Sequence, residues 1–185
     1  TLLGLDSEFW TKDFTHFEQD QVALLQISSK KIHGLFDICD LARDFEFCEW
    51  LTQIFHSEQI VKVGHGFSND MALINSTLDS EIKPSNLINI DELVSSEKSL
   101  SLQNMVKAYL NKDICKFNQM SAWNQRPLRK SQIHYAVLDS FAPLLIYEKI
   151  IQITEKEKKN LMCRELNDQK MKSLKIGMLN KRPYS

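Results

Sequence analysis

The stretch LLGLDSEFW, residues 2–10, has the apolar run of a buried strand, yet Asp6 and Glu8 sit inside it two positions apart. Strand side chains alternate between faces, so both carboxylates project from the same face. Like charges at that range repel, and burying either without a partner is costly. A core strand that keeps both acids calls for positive charge to be brought to them.

QVALLQIS (21–28) and KIHGLFDI (31–38) read as the second and third strands, joined by a tight polar turn at Ser28, Ser29 and Lys30. From Asp44, the positions Phe47, Trp50, Leu51, Ile54 and Phe55 follow helical spacing. QIVKVG (59–64) is a short strand running into HGFSND, where Ser68 reads as a helix N-cap and Asp70 falls in the first turn. NLINI (86–90) is a fifth strand candidate, and Leu102, Met105, Val106, Tyr109 and Leu110 mark another amphipathic helix. The strongest helix starts near Pro127 or Ser131. Beyond about Lys156 the apolar period is lost, and a frayed helix with a mobile end is expected there. Three early strands followed by alternating helices and short strands point to a layered α/β or α+β domain.

The chain has 185 residues, 43% hydrophobic and 25% charged, enough for one globular domain with a core. No apolar run approaches the roughly 20 residues needed to span a bilayer, so no membrane role is expected. The start inside an apparent strand reads as a fragment of something longer. Four scattered cysteines, Cys39, Cys48, Cys115 and Cys163, form no CxxC pair. They read as reduced thiols of an intracellular protein, cytoplasmic or nuclear, without structural zinc. Residues 1–120 carry 10 Lys+Arg against 18 Asp+Glu, a net of −8, and residues 121–185 carry 13 against 6, a net of +7. Such asymmetry suits cations at one place and phosphates at another, or simply a solvated helix and tail.

Two further acids stand where core should be. Asp70 opens a helix directly after a short strand, at the C-terminal edge of the sheet. Asp139 lies inside the most apolar helix, with Tyr135 four residues earlier on the same helical face. Alone, Asp70 would be an ordinary first-turn residue, and Asp139 a buried acid paired with an arginine. Together with Asp6 and Glu8 they form a hard oxygen donor set suited to Mg²⁺ or Mn²⁺. Two such ions about 3.5–4 Å apart activate a water and stabilise the leaving oxygen of a phosphodiester.

LDSEF, VGHGFSNDMALI and YAVLD, in that order, resemble the three motifs of the DEDDy-type 3′–5′ exonucleases, the RNase D and Werner-type enzymes. The likeness covers about residues 1–150 and extends to QVALLQIS, LFDICDL and SAWNQRPLRKSQIHYAVLD, the last most similar to the Nibbler-like subgroup that trims small-RNA 3′ ends. It implies an RNase H-like α/β fold with a central mixed sheet of five to six strands flanked by helices. An exonuclease domain over 1–155 would precede a charged, partly mobile helix or tail over 156–185. It also implies that Asp6, Glu8 and Asp139 ligate the catalytic metal, with Asp6 bridging to a second ion held by Asp70. Tyr135 would orient the attacking water, and the substrate would be single-stranded nucleic acid, RNA in preference. Protein partners would engage through regions outside this chain. The sequence departs from the family pattern at Gly66, Asn89 and Cys115, none of them an implied ligand.

Several neighbours of the motifs carry two readings. Trp10 and Phe67 could stack on terminal bases or pack the rim. Arg126, Arg129 and Lys130 precede the catalytic helix as phosphate contacts, or Arg126 locks its loop to the core. His65 and His134 sit beside motif residues, in supporting roles more than as ligands. Lys156 to Arg182 could add salt-sensitive affinity for RNA. Pro143 cannot donate to the Asp139 carbonyl, which would loosen the helix just past that acid. The rival readings are a DNA-directed exonuclease and a module on the same fold that binds without cutting.

Overall fold

In the computed structural model the described residues are 1–10, 21–94 and 100–179, with side chains described as far as residue 160. Five strands form one mixed sheet in the order β3-β2-β1-β4-β5: β1 Leu2–Trp10, β2 Gln21–Ser28, β3 His33–Asp37, β4 Val61–Gly64 and β5 Leu87–Asn89. The helices are α1 Ile38–Leu41, α2 Phe45–His56, α3 Phe67–Leu78, α4 Leu102–Met105 and α5 Lys130–Leu179. A 3₁₀ turn covers Ile90–Leu93, and α4 continues as a π-helical turn over Val106–Leu110. All five expected strands are present, the last three with trimmed ends; α1 takes over where the third was expected to continue to Ile38.

The first three strands are antiparallel neighbours, whereas β4 and β5 run parallel to β1. Asp6 faces Gln26 and Glu8 faces Leu24, so those four share a face. Leu5 and Leu25 point to the other face, where α2 and α3 bury Leu51, Phe55, Phe67 and Ile74 against them. The carboxylate face is covered by α5. Its Tyr135 and Ala136 pack with Leu24 and Trp123, and its Ser140 hydroxyl meets that of Ser28 at 2.6 Å.

Gly4 permits this contact. A Cβ there would come within 2.0 Å of the Ser140 carbonyl oxygen and 3.1 Å of the Leu144 Cβ. Only a residue without a side chain lets α5 lie this close to β1. On the other side, Gly66 takes φ +67°, which turns the chain out of β4 and starts α3 at Phe67. The expected cap at Ser68 is therefore corrected: the left-handed glycine starts the helix earlier, and the Ser68 hydroxyl instead accepts from the Asn89 amide at 2.8 Å. The Gly66 N–H donates to Asp91 Oδ1 at 3.0 Å, so the departure from the family pattern at this position serves the turn.

Packing divides the chain into units Thr1–Tyr147 and Glu148–Ser185. Helix α5 is unbroken at Pro143 and continues to Leu179. Residues 151–160 are all exposed. Their Lys, Glu and Gln residues have good intrinsic helix propensity, so the helix persists without an apolar stripe. The expected RNA affinity of Lys156 to Arg182 falls mostly on side chains outside the described residues. Among the described residues no helix is long and apolar enough to cross a membrane.

Gly4→Ala should lower stability by about 1–3 kcal/mol in denaturant titrations, because the new methyl meets backbone. An unchanged midpoint would show that α5 does not depend on this approach.

Candidate active site

The site is built where β1 outruns its parallel neighbour. β4 pairs with β1 only along Leu2–Gly4 and ends at Gly64. The second half of β1 therefore has a strand on one side and the start of α3 on the other. Asp6 and Glu8 lie in this half, and a register shift between Glu8 and Phe9 follows at once, a local bulge of the kind that re-aims side chains. From α5, Asp139 joins them: carboxylate oxygens of Asp6, Glu8 and Asp139 all lie within 4.8 Å of one another.

Asp70 stands outside that triad but lines the same cleft. It is held from the opposite face of β1, where the Ser7 hydroxyl donates to Asp70 Oδ1 at 2.5 Å. Alternation along three consecutive residues thus serves both layers: Asp6 and Glu8 face α5, and Ser7 reaches α3. Sequence reasoning passed over Ser7, although its place between the two acids was the signal.

Electrostatics report a shortage of positive charge. Burial, then Glu8, Asp139 and Asp70, raises the Asp6 carboxyl well above the ordinary carboxylate range. Burial, with Asp139 and Asp70, pushes Glu8 up to about 9. Burial raises Asp139 to about 6, against the opposing hydrogen bond from Tyr135 and the charges of Lys116 and His65. Asp70 is raised by burial and eased down by its bond from Ser7. Tyr135 is pushed upward by burial, by its bond to Asp139 and by the surrounding acids, so at neutral pH it stays a phenol and a donor. A close set of carboxylate oxygens short of a counter-charge fits a hard divalent cation.

The cleft, about 680 Å³, is lined by all five of these residues and by Trp10, His65 and Lys116 among others. His65 Nε2 lies 2.7 Å from the Leu100 carbonyl oxygen, so one ring nitrogen is engaged. Lys116, a cation at the cleft, had no signal in the sequence beyond being one of several surface-type lysines.

Two expected nucleic-acid contacts are corrected. Phe67 is fully buried and stacks on Phe55 with centroids 6.4 Å apart, so it is core rather than a base platform. All five Arg126 donors are consumed: Nε and Nη2 on Asp37, Nη1 on the Trp123 and Gln125 carbonyls, and Nη2 also on the Ala23 carbonyl. Arg126 is the lock of its loop, with no donor left for a phosphate. Arg129 and Lys130 are exposed. Arg129 Nε bonds Gln132 and its Nη2 bonds Ser121, and it lines a second, smaller groove rather than the carboxylate cleft. Asn89, a departure from the family pattern, donates to Ser68 and to Glu92.

A family described as 3′–5′ exonuclease matches residues 1–155. The Caenorhabditis elegans protein "Exonuclease mut-7" is 27% identical over 179 residues, which cover 85% of this chain and 20% of that relative. The chain thus spans about a fifth of that relative's length. Among solved structures, the Aedes aegypti Nibbler EXO domain superposes with a TM-score of 0.68 at 24% identity, covering 82% of this chain and 78% of that one. Trypanosoma brucei RNase D in complex with RNA U12 gives 0.68 at 19% identity, covering 81% and 55%. With these neighbours, the five-stranded mixed sheet flanked by helices is an RNase H-like fold.

A raised carboxyl favours the folded state most below its ordinary value, and that contribution is lost as pH rises through the folded value. For Glu8 the window runs from about 4.5 to about 9. In chelator, the melting temperature of Glu8→Gln should therefore gain on the wild type steadily across that window. A constant offset would contradict the burial and repulsion described here.

Proposed function

The chain belongs to the 3′–5′ exonuclease family, and on that premise we propose that it removes nucleotides one at a time from the 3′ end of single-stranded RNA, with small-RNA 3′ trimming as its setting. Residues 1–155 form the exonuclease domain in this reading, and 156–185 a charged helical extension. The observation that carries it is the convergence of Asp6, Glu8 and Asp139 oxygens within 4.8 Å beside a protonated phenol. The RNA preference is supported by the likeness to the Nibbler EXO domain and to the RNase D whose structure contains RNA U12.

Asp6, Glu8 and Asp139 would hold one divalent ion, and Asp70 with Asp6 would take part in holding a second. Two Mg²⁺ or Mn²⁺ ions, when bound, supply the Lewis acidity that a phosphodiester needs for attack by water and departure of the 3′ oxygen. The protein's own groups do the positioning. Ser7 fixes the Asp70 carboxylate from beneath the strand. Tyr135 keeps its proton at neutral pH and donates, so it orients a water or the Asp139 carboxylate and is not the base. Lys116 offers positive charge to the scissile phosphate, His65 lines the same cleft, and Trp10, at the edge of the cleft, offers a surface for the terminal base. The free thiols of Cys39, Cys48 and Cys115 suit an intracellular setting, cytoplasmic or nuclear.

The test is release of mononucleotides from 3′-labelled RNA and DNA strands of matched sequence during a Mg²⁺ and Mn²⁺ titration. Activity should be absent in chelator and faster on RNA. It should fall at least about a hundredfold in Asp6→Ala and Asp139→Ala. In Tyr135→Phe it should fall about tenfold to a hundredfold, the scale of a misoriented reactant. Metal-dependent binding without release would assign the chain to a non-cleaving module, and faster release from DNA would reverse the substrate.

A further inference from the structure

Beside the carboxylate cleft lies a second groove of about 340 Å³, lined by Phe117, Met120, Ser121, Ala122, Gln125, Pro127, Arg129 and Gln132. Met120, Ser121, Ala122 and Gln125 line both, so the two depressions share one wall. Two large apolar side chains stand there in water: Phe117 is 81% exposed and Met120 90%. Among the described residues their segment is bonded elsewhere, through Asn118 to the Ser131 carbonyl and through Gln132 to the Ala122 carbonyl. The exposure thus belongs to a segment tied down at its neighbours. Arg129 completes the groove. Gln132 and Ser121 hold its guanidinium, and its Nη1 has no partner among the described residues. None of the groove's lining residues is acidic, in contrast with the adjoining cleft.

We propose that this groove is a subsite for the nucleotide upstream of the one being removed, with Phe117 as the stacking surface, Met120 as the ridge between the two positions, and Arg129 as the phosphate contact. The inference rests on the exonuclease reading and extends it. If the 3′ terminus must sit at the carboxylates, the strand has to leave the cleft on its 5′ side. The groove that shares the cleft's wall offers an aromatic face and a fixed cation for that next unit. A base has a π-face whatever its identity, so an exposed phenylalanine accepts any sequence. A guanidinium held by two neighbours presents its remaining donors to a phosphate with less side-chain ordering left to do.

Chain length separates the two positions. Uridine oligomers of two to ten nucleotides would be digested by the full chain, with uridine 5′-monophosphate, which has no upstream nucleotide, as a competing ligand, and binding of the same 5′-fluorescein-labelled oligomers measured by anisotropy. Wild-type affinity should step up from the monophosphate to the oligomers, which are long enough to enter the groove. In Phe117→Ala and in Arg129→Gln the KM for the decamer should rise about fivefold or more, with kcat and the inhibition constant of uridine 5′-monophosphate unchanged. An equal change for the monophosphate and the decamer would overturn the subsite, as would no change for either. Loss of all nuclease activity in the wild type would defeat the exonuclease reading instead. In that event the anisotropy series still decides the groove, because the length-dependent affinity should drop in the same two variants.

Discussion

Everything at this site follows from placing Asp6 and Glu8 on a buried face of the sheet's central strand. Water is largely withdrawn from them, Asp139 is brought down on top, and burial leads the causes that raise all three carboxyls. An arrangement of that kind opposes folding unless something positive joins it. Among the described residues no lysine or arginine forms an ion pair with the triad. Lys116 acts only as a neighbouring charge that lowers Asp139. The donor set therefore fits a cation from solution, and the repulsion becomes a property the protein uses.

The surrounding architecture serves that constraint. Gly4 lets the α5 backbone approach β1, which brings Asp139 within reach. The early end of β4 leaves the far half of β1 open, and Gly66 then swings α3 into that opening. Ser7 faces away from its two acidic neighbours and holds Asp70 from the opposite layer. Both layers of the fold thus meet at one tripeptide, Asp6-Ser7-Glu8.

Much of this was legible in the sequence because alternation and helical periodicity are strong local signals. The strands, α2, the first-turn place of Asp70 and the pairing of Tyr135 with Asp139 on one helical face all follow from spacing. Tertiary choices were less legible. Phe67 flanks a motif, yet stacking on Phe55 in the core uses it completely. Arg126 sits among basic residues like a phosphate contact, but Asp37 and three carbonyls take every donor it has, and only the fold brings Asp37 to it. Ser68 looked like a cap because serine favours that role; a glycine able to adopt positive φ two residues earlier took it. The helix beyond Lys156 has no apolar period to announce it, because lost amphipathicity removes packing but not the propensity of Lys, Glu and Gln to stay helical.

The central claim is that the buried acids wait, partly protonated, for a divalent ion. It is tested most directly by calorimetric Mn²⁺ titration at pH 7 in two buffers of different ionisation enthalpy. Ligands must lose their protons to bind a metal. With Glu8 titrating near 9, the account predicts saturable binding whose heat depends on the buffer, with at least about one proton released per chain. Saturable binding with the same heat in both buffers, or no binding at all, would contradict it.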